Sequence, residues 1–506
     1  MSELETTWVD YYRALAVPEE ADADEIKRAY RRMARRYHPD VDQSPDAADR
    51  FLLIQAAFDV LGDSGQRAAY DVERRARQRR EEAQSGPVAL RWVLSQRPLA
   101  CRQEAQVVYA LLDVVVTAAK DSNGLPLNLC LLLDCSSSMR GASLLRLKEA
   151  ARFVADQLTE QDSFSLIAFH DRARVLIPNR GTVHPGVVRA AINTLEARGG
   201  TEIAQGLSAA LKQVRHRALP RYLSHIVFLT DGHTYGDADV CRDLARQAGA
   251  AGISISALGL GPHWNEALLN DIATLSGDVS FHIDSPAGIT LAFQEQIQRL
   301  RDVVVHDAAL EIELGAGVTM RAGHRFFPSI APLDTAVEKE PLTLPVGSIG
   351  RHAGQTLLLE FQVPPLPTPG PVSLTRVRLI GRTATAQPKD RRTLVQTDLA
   401  THCERETETK PLDPRLRGFA ERVTAYRLQE RAWQDLAEDQ IDQATVRLRS
   451  VATKLLELGE VDLARETIRE ARRLETTGRT SRIGKKRIRY GTRSLATLLP
   501  WRRPQE

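Results

Sequence analysis

Cysteine is scarce in this chain of 506 residues: Cys101, Cys130, Cys135, Cys241 and Cys403 stand apart, with no C-x-x-C pair among them. Such scatter excludes a zinc ribbon and predicts reduced, mostly packed thiols. Long apolar runs are missing as well. No window reaches the roughly 18 uninterrupted apolar residues of a membrane-spanning helix, because even 107–119 carries Asp113. Residues 1–7 are acidic without an apolar run, so no secretory signal is expected and a soluble cytoplasmic protein follows as the expectation. Nor does one sign of charge dominate. A formal net charge of +3 implies no global preference for nucleic acid or membrane, although basic residues cluster locally. Two catalytic loops are absent too, the phosphate-cradling G-x-x-x-x-G-K-[ST] and the nucleophile elbow G-x-S-x-G. With 43% hydrophobic residues, the length implies several domains with ordinary cores.

What is present begins with His38-Pro39-Asp40. Upstream, Ile26, Tyr30, Met33 and Tyr37 recur at helical spacing among Lys27, Arg28, Arg31, Arg32, Arg35 and Arg36, which makes a helix apolar on one face and basic on the other. Asp22 with Glu25 reads as its capping box. Downstream, Phe51, Ile54, Ala57, Phe58 and Leu61 form a second stripe, and the proline ends the first helix. The pattern predicts an antiparallel helical hairpin with His-Pro-Asp at its tip. Together with Asp10-Tyr11-Tyr12 before it and Ala57 to Asp63, Arg67, Tyr70 and Asp71 after it, this segment resembles the J-domain, with Ala16 where that family usually has glycine. The resemblance implies a co-chaperone that docks a DnaK-type chaperone through Lys27, Arg28, Arg31, Arg32 and Arg35 and stimulates its ATPase through His38, Pro39 and Asp40. No Gly/Phe-rich segment follows; 74–82 is charged and helix-prone, and Gln84-Ser85-Gly86-Pro87 reads as a linker.

Beyond residue 125 the apolar run 127–133 suits a strand buried on both faces, and strands near 164–169, 225–229, 253–259 and 279–283 alternate with helical segments. Such alternation predicts a mostly parallel sheet covered on both sides, with ligands at the carboxyl ends of its strands. Three oxygen-rich loops fall at those ends: Asp134-x-Ser136-x-Ser138, Gly199-Gly200-Thr201, and Thr230-Asp231-Gly232. Hydroxyls and carboxylates without thiol or imidazole suit a hard divalent cation, magnesium above all, with manganese as the alternative. These five positions resemble the metal-ion-dependent adhesion site of von Willebrand factor A domains. The resemblance implies that Ser136 and Ser138 bind the metal directly, Thr201 directly or through water, and Asp134 and Asp231 mainly through waters, leaving a place for an acidic side chain of a partner. A serine nucleophile would want a histidine base; His170, His233 and His263 are the candidates near this rim.

The flanks predict a third unit. The β-prone run 107–117, ending at the Asn123-Gly124 turn, and strand-like segments at 308–314, 357–363 and 372–380 read as an antiparallel β-sandwich into which the α/β domain is inserted. From 414 to 474 the helical period returns as 415–437, 440–457 and 461–474, with Gly459 as the break. From Arg479 onward the tail is basic, with interleaved Ile483, Ile488, Tyr490, Leu495, Leu498, Leu499 and Trp501. An acidic protein surface, docking within the molecule, an anionic membrane surface and nucleic acid all fit that composition.

The expected organisation is a multidomain chain: J-domain 8–73, charged extension and linker 74–88, sandwich strands 89–124, A domain 125–301, remainder of the sandwich 302–412, helical segment 413–475 and basic tail 476–506. The expected function is non-enzymatic, a DnaK-type co-chaperone targeted by a magnesium-dependent A domain to an acidic protein ligand. The alternatives are an adaptor for a separate AAA-type ATPase and, further off, a serine hydrolase. No specific nucleic-acid partner is expected, while peripheral membrane contact through the tail stays open.

Overall fold

A computed structural model describes residues 11–15, 17–18, 21–37, 47–63, 65–67, 70–71, 88–117, 125–181, 183–219, 221–232, 234, 236–333, 335, 341–383, 391–405 and 411–495. The chain folds as two units, residues 1–85 and 86–506.

In the first unit, α1 (Tyr11–Ala14), α2 (Ala23–Arg36) and α3 (Ala47–Leu61) enclose a core of Tyr12, Leu15, Ile26, Ala29, Ile54, Ala57 and Leu61. The capping box forms as the sequence predicts: Glu25 N–H donates to Asp22 (2.7 Å) and Asp22 N–H to the Glu25 carboxylate (2.9 Å), satisfying two amides that a helix start leaves open. Tyr30 and Phe58 stack across α2 and α3 with ring centroids 4.2 Å apart. The close of the unit is tied back by Tyr12 to Asp71 (2.7 Å) and by Arg67 to the Ala21 carbonyl (2.8 Å).

In the second unit, residues 127–302 build a six-stranded sheet in the order β6-β5-β4-β7-β8-β9. Its strands are β4 (Leu127–Asp134), β5 (Ser163–Phe169), β6 (Ala173–Ile177), β7 (Leu223–Thr230), β8 (Ser254–Leu260) and β9 (Ser280–Ile283). All neighbours are parallel except β6, an antiparallel edge that carries little sequence signal because only Ile177 of its five residues is buried. Every residue of β4 and β7 is buried, which is why both read as continuous apolar runs. Six helices cover the two faces: α4 (Ala142–Asp156), α5 (Pro185–Asn193), α6 (Ile203–Arg215), α7 (Ala238–Ala250), α8 (Glu266–Leu275) and α9 (Ile289–Asp302).

A string of buried polar groups crosses the amino-terminal edge of this sheet. His225 Nε2 lies 2.7 Å from Ser256 Oγ, Ser256 donates to Asp278 (2.6 Å), and Arg299 grips both Asp278 oxygens at 2.9 Å. Burial pushes the His225 pKa down to about 4, against the pull of Asp278 and with the push of Arg299. Burial alone would raise Asp278, but Arg299, His225 and Ser256 hold it well below the usual carboxylate range. Below pH 6.5 the unfolded chain protonates this histidine and the folded one does not, so stability is lost as pH falls from 6.5 to 4. The loss at the lower limit is on the order of 3 kcal/mol for His225. Urea unfolding at pH 7, 5.5 and 4.5 will show the slope, and His225→Gln will reduce it, leaving the part due to His324, whose pKa burial likewise pushes down to about 4; an unchanged slope in the variant would remove His225 from the account.

Flanking this domain are two five-stranded sheets, β1-β3-β14-β11-β12 and β13-β10-β15-β16-β2. The first joins β1 (Val88–Leu94), β3 (Gln106–Val116), β11 (Thr319–Arg325), β12 (Ala331–Pro332) and β14 (Gln355–Val363). The second joins β2 (Leu99–Ala100), β10 (Val303–Leu314), β13 (Leu342–Gly350), β15 (Gly370–Thr383) and β16 (Arg392–Glu404). β3 and β14 pair from Gln355 opposite Val114 to Val363 opposite Gln106, although the whole α/β domain lies between them in the chain. Asp113, which interrupts the apolar run of β3, accepts from Thr356 (2.8 Å) and pairs with Arg415 (2.6 Å).

Helices α10 (Pro414–Ala437), α11 (Ile441–Glu457), α12 (Val461–Thr477) and α13 (Arg482–Ser494) close the unit. The last corrects the expectation of a basic tail from 476. Gly478, at φ 67°, ends α12, and Ser481 caps α13 by accepting from Gly484 N–H (2.9 Å) while its own hydroxyl donates to Glu470 (2.7 Å). Lys486 donates to the carbonyls of Pro262 (3.0 Å) and Trp264 (2.9 Å), Arg489 pairs with Glu266 (2.7 Å), and the Tyr490 hydroxyl reaches Asn270 (3.1 Å). On the other side Thr492 bonds the Gln429 amide (2.6 Å) and Ile488 is buried among Trp433, Leu448 and Leu474. Basic residues of 482–494 therefore serve docking within the molecule: Arg487 and Arg489 pair with Asp284 and Glu266 of the α/β domain, and Arg493 with Glu430 of α10. No helix among the described residues is long and apolar enough to cross a membrane. The charged stretch 74–82, the linker at 84–87, the turn at 123–124 and the tail residues Leu498, Leu499, Trp501, Arg502 and Arg503 lie outside the described residues.

Candidate functional site

Asp134 is the last residue of β4 and is fully buried. Its Oδ1 accepts the Ser136 N–H (2.8 Å) and its Oδ2 the Thr230 hydroxyl at the end of β7 (2.5 Å), so the side chain ties the first loop to the third. Ser136 Oγ lies 3.0 Å from Ser138 Oγ, and Ser138 donates to Asp231 Oδ1 at 2.6 Å. The second loop joins through its backbone. Ser137 N–H donates to the Gly199 carbonyl (3.0 Å) and Arg198 N–H to the Cys135 carbonyl (2.8 Å). A Cβ added at Gly232 would stand 3.0 Å from Thr201 Oγ1, which places that hydroxyl against the Asp231 loop. All five residues singled out in the sequence, Asp134, Ser136, Ser138, Thr201 and Asp231, thus gather at one end of the sheet.

Two further residues hold the cluster in place. Asp171, in the β5–β6 turn, accepts the Gly200 N–H (2.6 Å), and any Cβ at Gly199, where φ is +71°, would lie 2.2 Å from its Oδ2. Asp237 accepts the Ala204 N–H at the start of α6 (2.9 Å). Neither carries a local sequence signal, since each acts on a loop distant in the chain. Thr230 was visible as a member of its loop but not as the partner of Asp134.

The electrostatics are one-sided. Burial pushes the Asp134 carboxyl up to about 6, offset by hydrogen bonds from Thr230 and Ser136 and reinforced by the neighbouring charge of Asp231. Burial also raises Asp231, against the Ser138 hydrogen bond and the distant His263. No lysine or arginine is hydrogen-bonded to either carboxylate among the described residues. Among them, too, no cluster of three or more His, Cys, Asp or Glu side chains is placed to hold a metal. The donor set here is of another kind, three hydroxyls and two carboxylates, which is the chemistry of a hard cation and leaves its charge only partly neutralised. Those residues fit a divalent ion.

A base for nucleophilic catalysis does not accompany the serines. His170 Nδ1 accepts its neighbour's N–H, from Asp171 (2.8 Å), and His263 is exposed on the loop after β8. No histidine among the described residues is hydrogen-bonded to Ser136 or Ser138, and His233 lies outside them.

The other candidate surface is α2 of the first unit. Lys27, Arg28, Arg31, Arg32 and Arg35 are exposed, while Ile26 and Ala29 are buried. His38, Pro39 and Asp40 lie outside the described residues; α2 ends just before them, capped by Tyr37 N–H on the Met33 carbonyl (3.0 Å).

Comparison with known proteins bears on each part. Residues 10–71 match the DnaJ domain, 128–296 the von Willebrand factor type A domain, and 414–498 the Sll0103-like, C-terminal alpha-helical domain. An uncharacterized protein, sll0103, of Synechocystis sp. is 37% identical over 206 residues, 40% of this chain and 49% of that protein. The chaperone protein DnaJ of Halalkalibacterium halodurans is 53% identical over 62 residues, 12% of this chain and 17% of that protein. The chain thus spans about half the length of the first relative and a sixth of the second. Among solved structures, a von Willebrand factor type A protein from Catenulispora acidiphila aligns with a TM-score of 0.65 at 20% identity, covering 81% of this chain and 97% of its own, a likeness of fold. A J-domain and a von Willebrand factor A domain are both present, followed by C-terminal helices, in a combination suited to protein interaction.

Proposed function

We propose that this chain is a non-enzymatic adaptor that brings a DnaK-type chaperone to a protein gripped by the A domain. The observation that carries the second half is the convergence of three loops on one hydroxyl-rich, cation-poor cluster. Ser136, Ser138 and Thr201 would hold magnesium, or manganese in its place, with Asp134 and Asp231 supporting it through hydrogen bonds and waters. When bound, the ion supplies a positive charge that neutral hydroxyls leave largely exposed, and an acidic side chain of a partner completes the site. Asp134 fixes the Ser136 loop by its hydrogen bonds, Thr230 orients Asp134, and Asp171 holds the Gly199-Gly200 turn. The five-stranded sheets, read as a sandwich into which the A domain is inserted, and the helices 414–494 would present that end of the A domain on a rigid base. On the J-domain, the exposed basic face of α2 would steer the encounter with the acidic surface of the chaperone. A cytoplasmic setting, where such a chaperone works, belongs to the same reading.

Partner capture tests it. Immobilised full-length chain is expected to retain the same partner in magnesium and in manganese, to release it in EDTA, and to fail to retain it as Ser136→Ala. Capture indifferent to chelator and to Ser136→Ala would move the docking surface elsewhere.

A further inference from the structure

The amino-terminal edge of the A-domain sheet, opposite the metal loops, borders a cavity of about 620 Å³. It opens where three parts of the second unit meet. The A domain contributes Leu223, Ser254 and the loop 274–280, the flanking sheets contribute Arg325 and Ile330, and the C-terminal helices contribute Tyr426 and Arg493. That volume lies in the range of small-molecule sites, which favour such junctions between domains.

Its charges are unevenly matched. Three guanidinium groups line it, Arg325, Arg391 and Arg493, against two carboxylates, Asp278 and Asp307. Both acids are already engaged: Asp278 is held by Arg299 through two bonds of 2.9 Å, and Asp307 by Arg391, in part at 2.9 Å. Arg493 reaches Glu430 (3.5 Å) and Asn270 (3.2 Å). The Arg325 guanidinium, on a strand held by its backbone, has no hydrogen bond or ion pair among the described residues. Its Nη1 sits over Gly347, where an added Cβ would be 3.3 Å away, and the side chain borders both this cavity and a recess of about 20 Å³ behind it. Burial lowers its pKa, with Asp278 opposing and Arg299 adding to the effect. The residue is half-buried rather than sealed, and it lines the cleft.

A guanidinium presents five N–H donors in a fixed fork and is costly to leave unpaired in such a place. Planar or tetrahedral oxyanions match that fork. The apolar part of the lining, Leu223, Leu275, Ile330 and Leu333, would take an apolar body. We propose that this cleft binds a small organic anion, a carboxylate or phosphate monoester with an aliphatic tail, whose head group pairs with Arg325. The site is independent of the metal loops at the other end of the strands.

Titration calorimetry on the full-length chain, at constant ionic strength and in EDTA, provides the test, with octanoate and octyl phosphate as probes and octanol and inorganic phosphate as controls. Saturable one-to-one binding of at least one octyl anion is expected, tighter by tenfold or more than octanol or phosphate, and at least tenfold weaker in Arg325→Gln. Without probe, Arg325→Gln and Arg325→Met are expected to melt no lower than wild type, since no hydrogen bond or ion pair of the guanidinium is lost. Three results would each overturn the proposal: no saturable binding of either octyl anion, equal affinity in Arg325→Gln, or marked destabilisation of both variants, which would make Arg325 structural. Preference for tetraglutamate over both octyl anions would overturn it as well, by making the cleft a peptide-docking surface.

Discussion

His38→Gln is expected to bring the ATPase stimulation of a DnaK-type chaperone down to the basal rate while the J-domain stays folded. The core of that domain is made by Tyr12, Leu15, Ile26, Ala29, Ile54, Ala57, Leu61 and Tyr70, so a side chain beyond the end of α2 contributes little to its stability. Single-turnover ATP hydrolysis with and without the chain, alongside thermal melting of the variant, separates the two effects. Full stimulation by a folded His38→Gln variant would end the co-chaperone reading. Reversing Arg31, Arg32 and Arg35 to glutamate should act differently, weakening the encounter more at 0.02 M than at 0.3 M salt, values roughly either side of the 0.1 M at which the screening length is about 10 Å.

Asp134→Ala is expected to abolish magnesium binding with only a modest effect on the metal-free fold. Removing the carboxylate leaves the Thr230 hydroxyl and the Ser136 N–H without their partner, a cost of about 1–3 kcal/mol. It also removes a desolvated acid whose pKa burial has pushed up to about 6, which works in the opposite direction. The contrast lies in the response to the ion. Magnesium at a hundredfold excess over its dissociation constant should stabilise wild type by about 2.7 kcal/mol and leave the variant unmoved. Calorimetric titration together with melting in magnesium and in EDTA reads both. A variant that still gains stability from magnesium would show that the ion binds elsewhere.

Much of this architecture is legible in the sequence, and the parts that are not share a physical cause. The hairpin of the first unit and the strand-helix alternation of the A domain announce themselves because each element carries its own period, as the capping box of α2 and the fully apolar β4 and β7 illustrate. The three loops of the candidate site could be placed because each closes a strand or opens a helix. What escaped depends on contacts between distant segments. β11, with the sequence Thr-Met-Arg-Ala-Gly-His-Arg, has little apolar alternation and is held as a strand by β14 beside it. β16, at Arg392–Glu404, is half polar and pairs along β15. Helix α13 reads as a charged tail because six of its thirteen residues are basic and two more are glycine, and the acids and carbonyls of the A domain explain why it is a helix in that place. Asp171 and Arg325 carry no signal at all until the fold puts them beside Gly199 and the cleft.

Lys486 and Trp264 meet although 222 residues separate them. During synthesis the A domain leaves the ribosome with its Trp264, Asn270 and Glu266 surface bare, and chain growth at about 5–20 residues per second delays the covering helix by roughly ten seconds or more. Throughout that interval the surface is open to other proteins, and a nascent chain released before residue 482 keeps it open permanently. Helix α13 is thus a late-arriving cover: a nascent chain that has not reached residue 482 lacks it, and the contacts of Lys486, Arg489 and Tyr490 on the A domain form only afterwards.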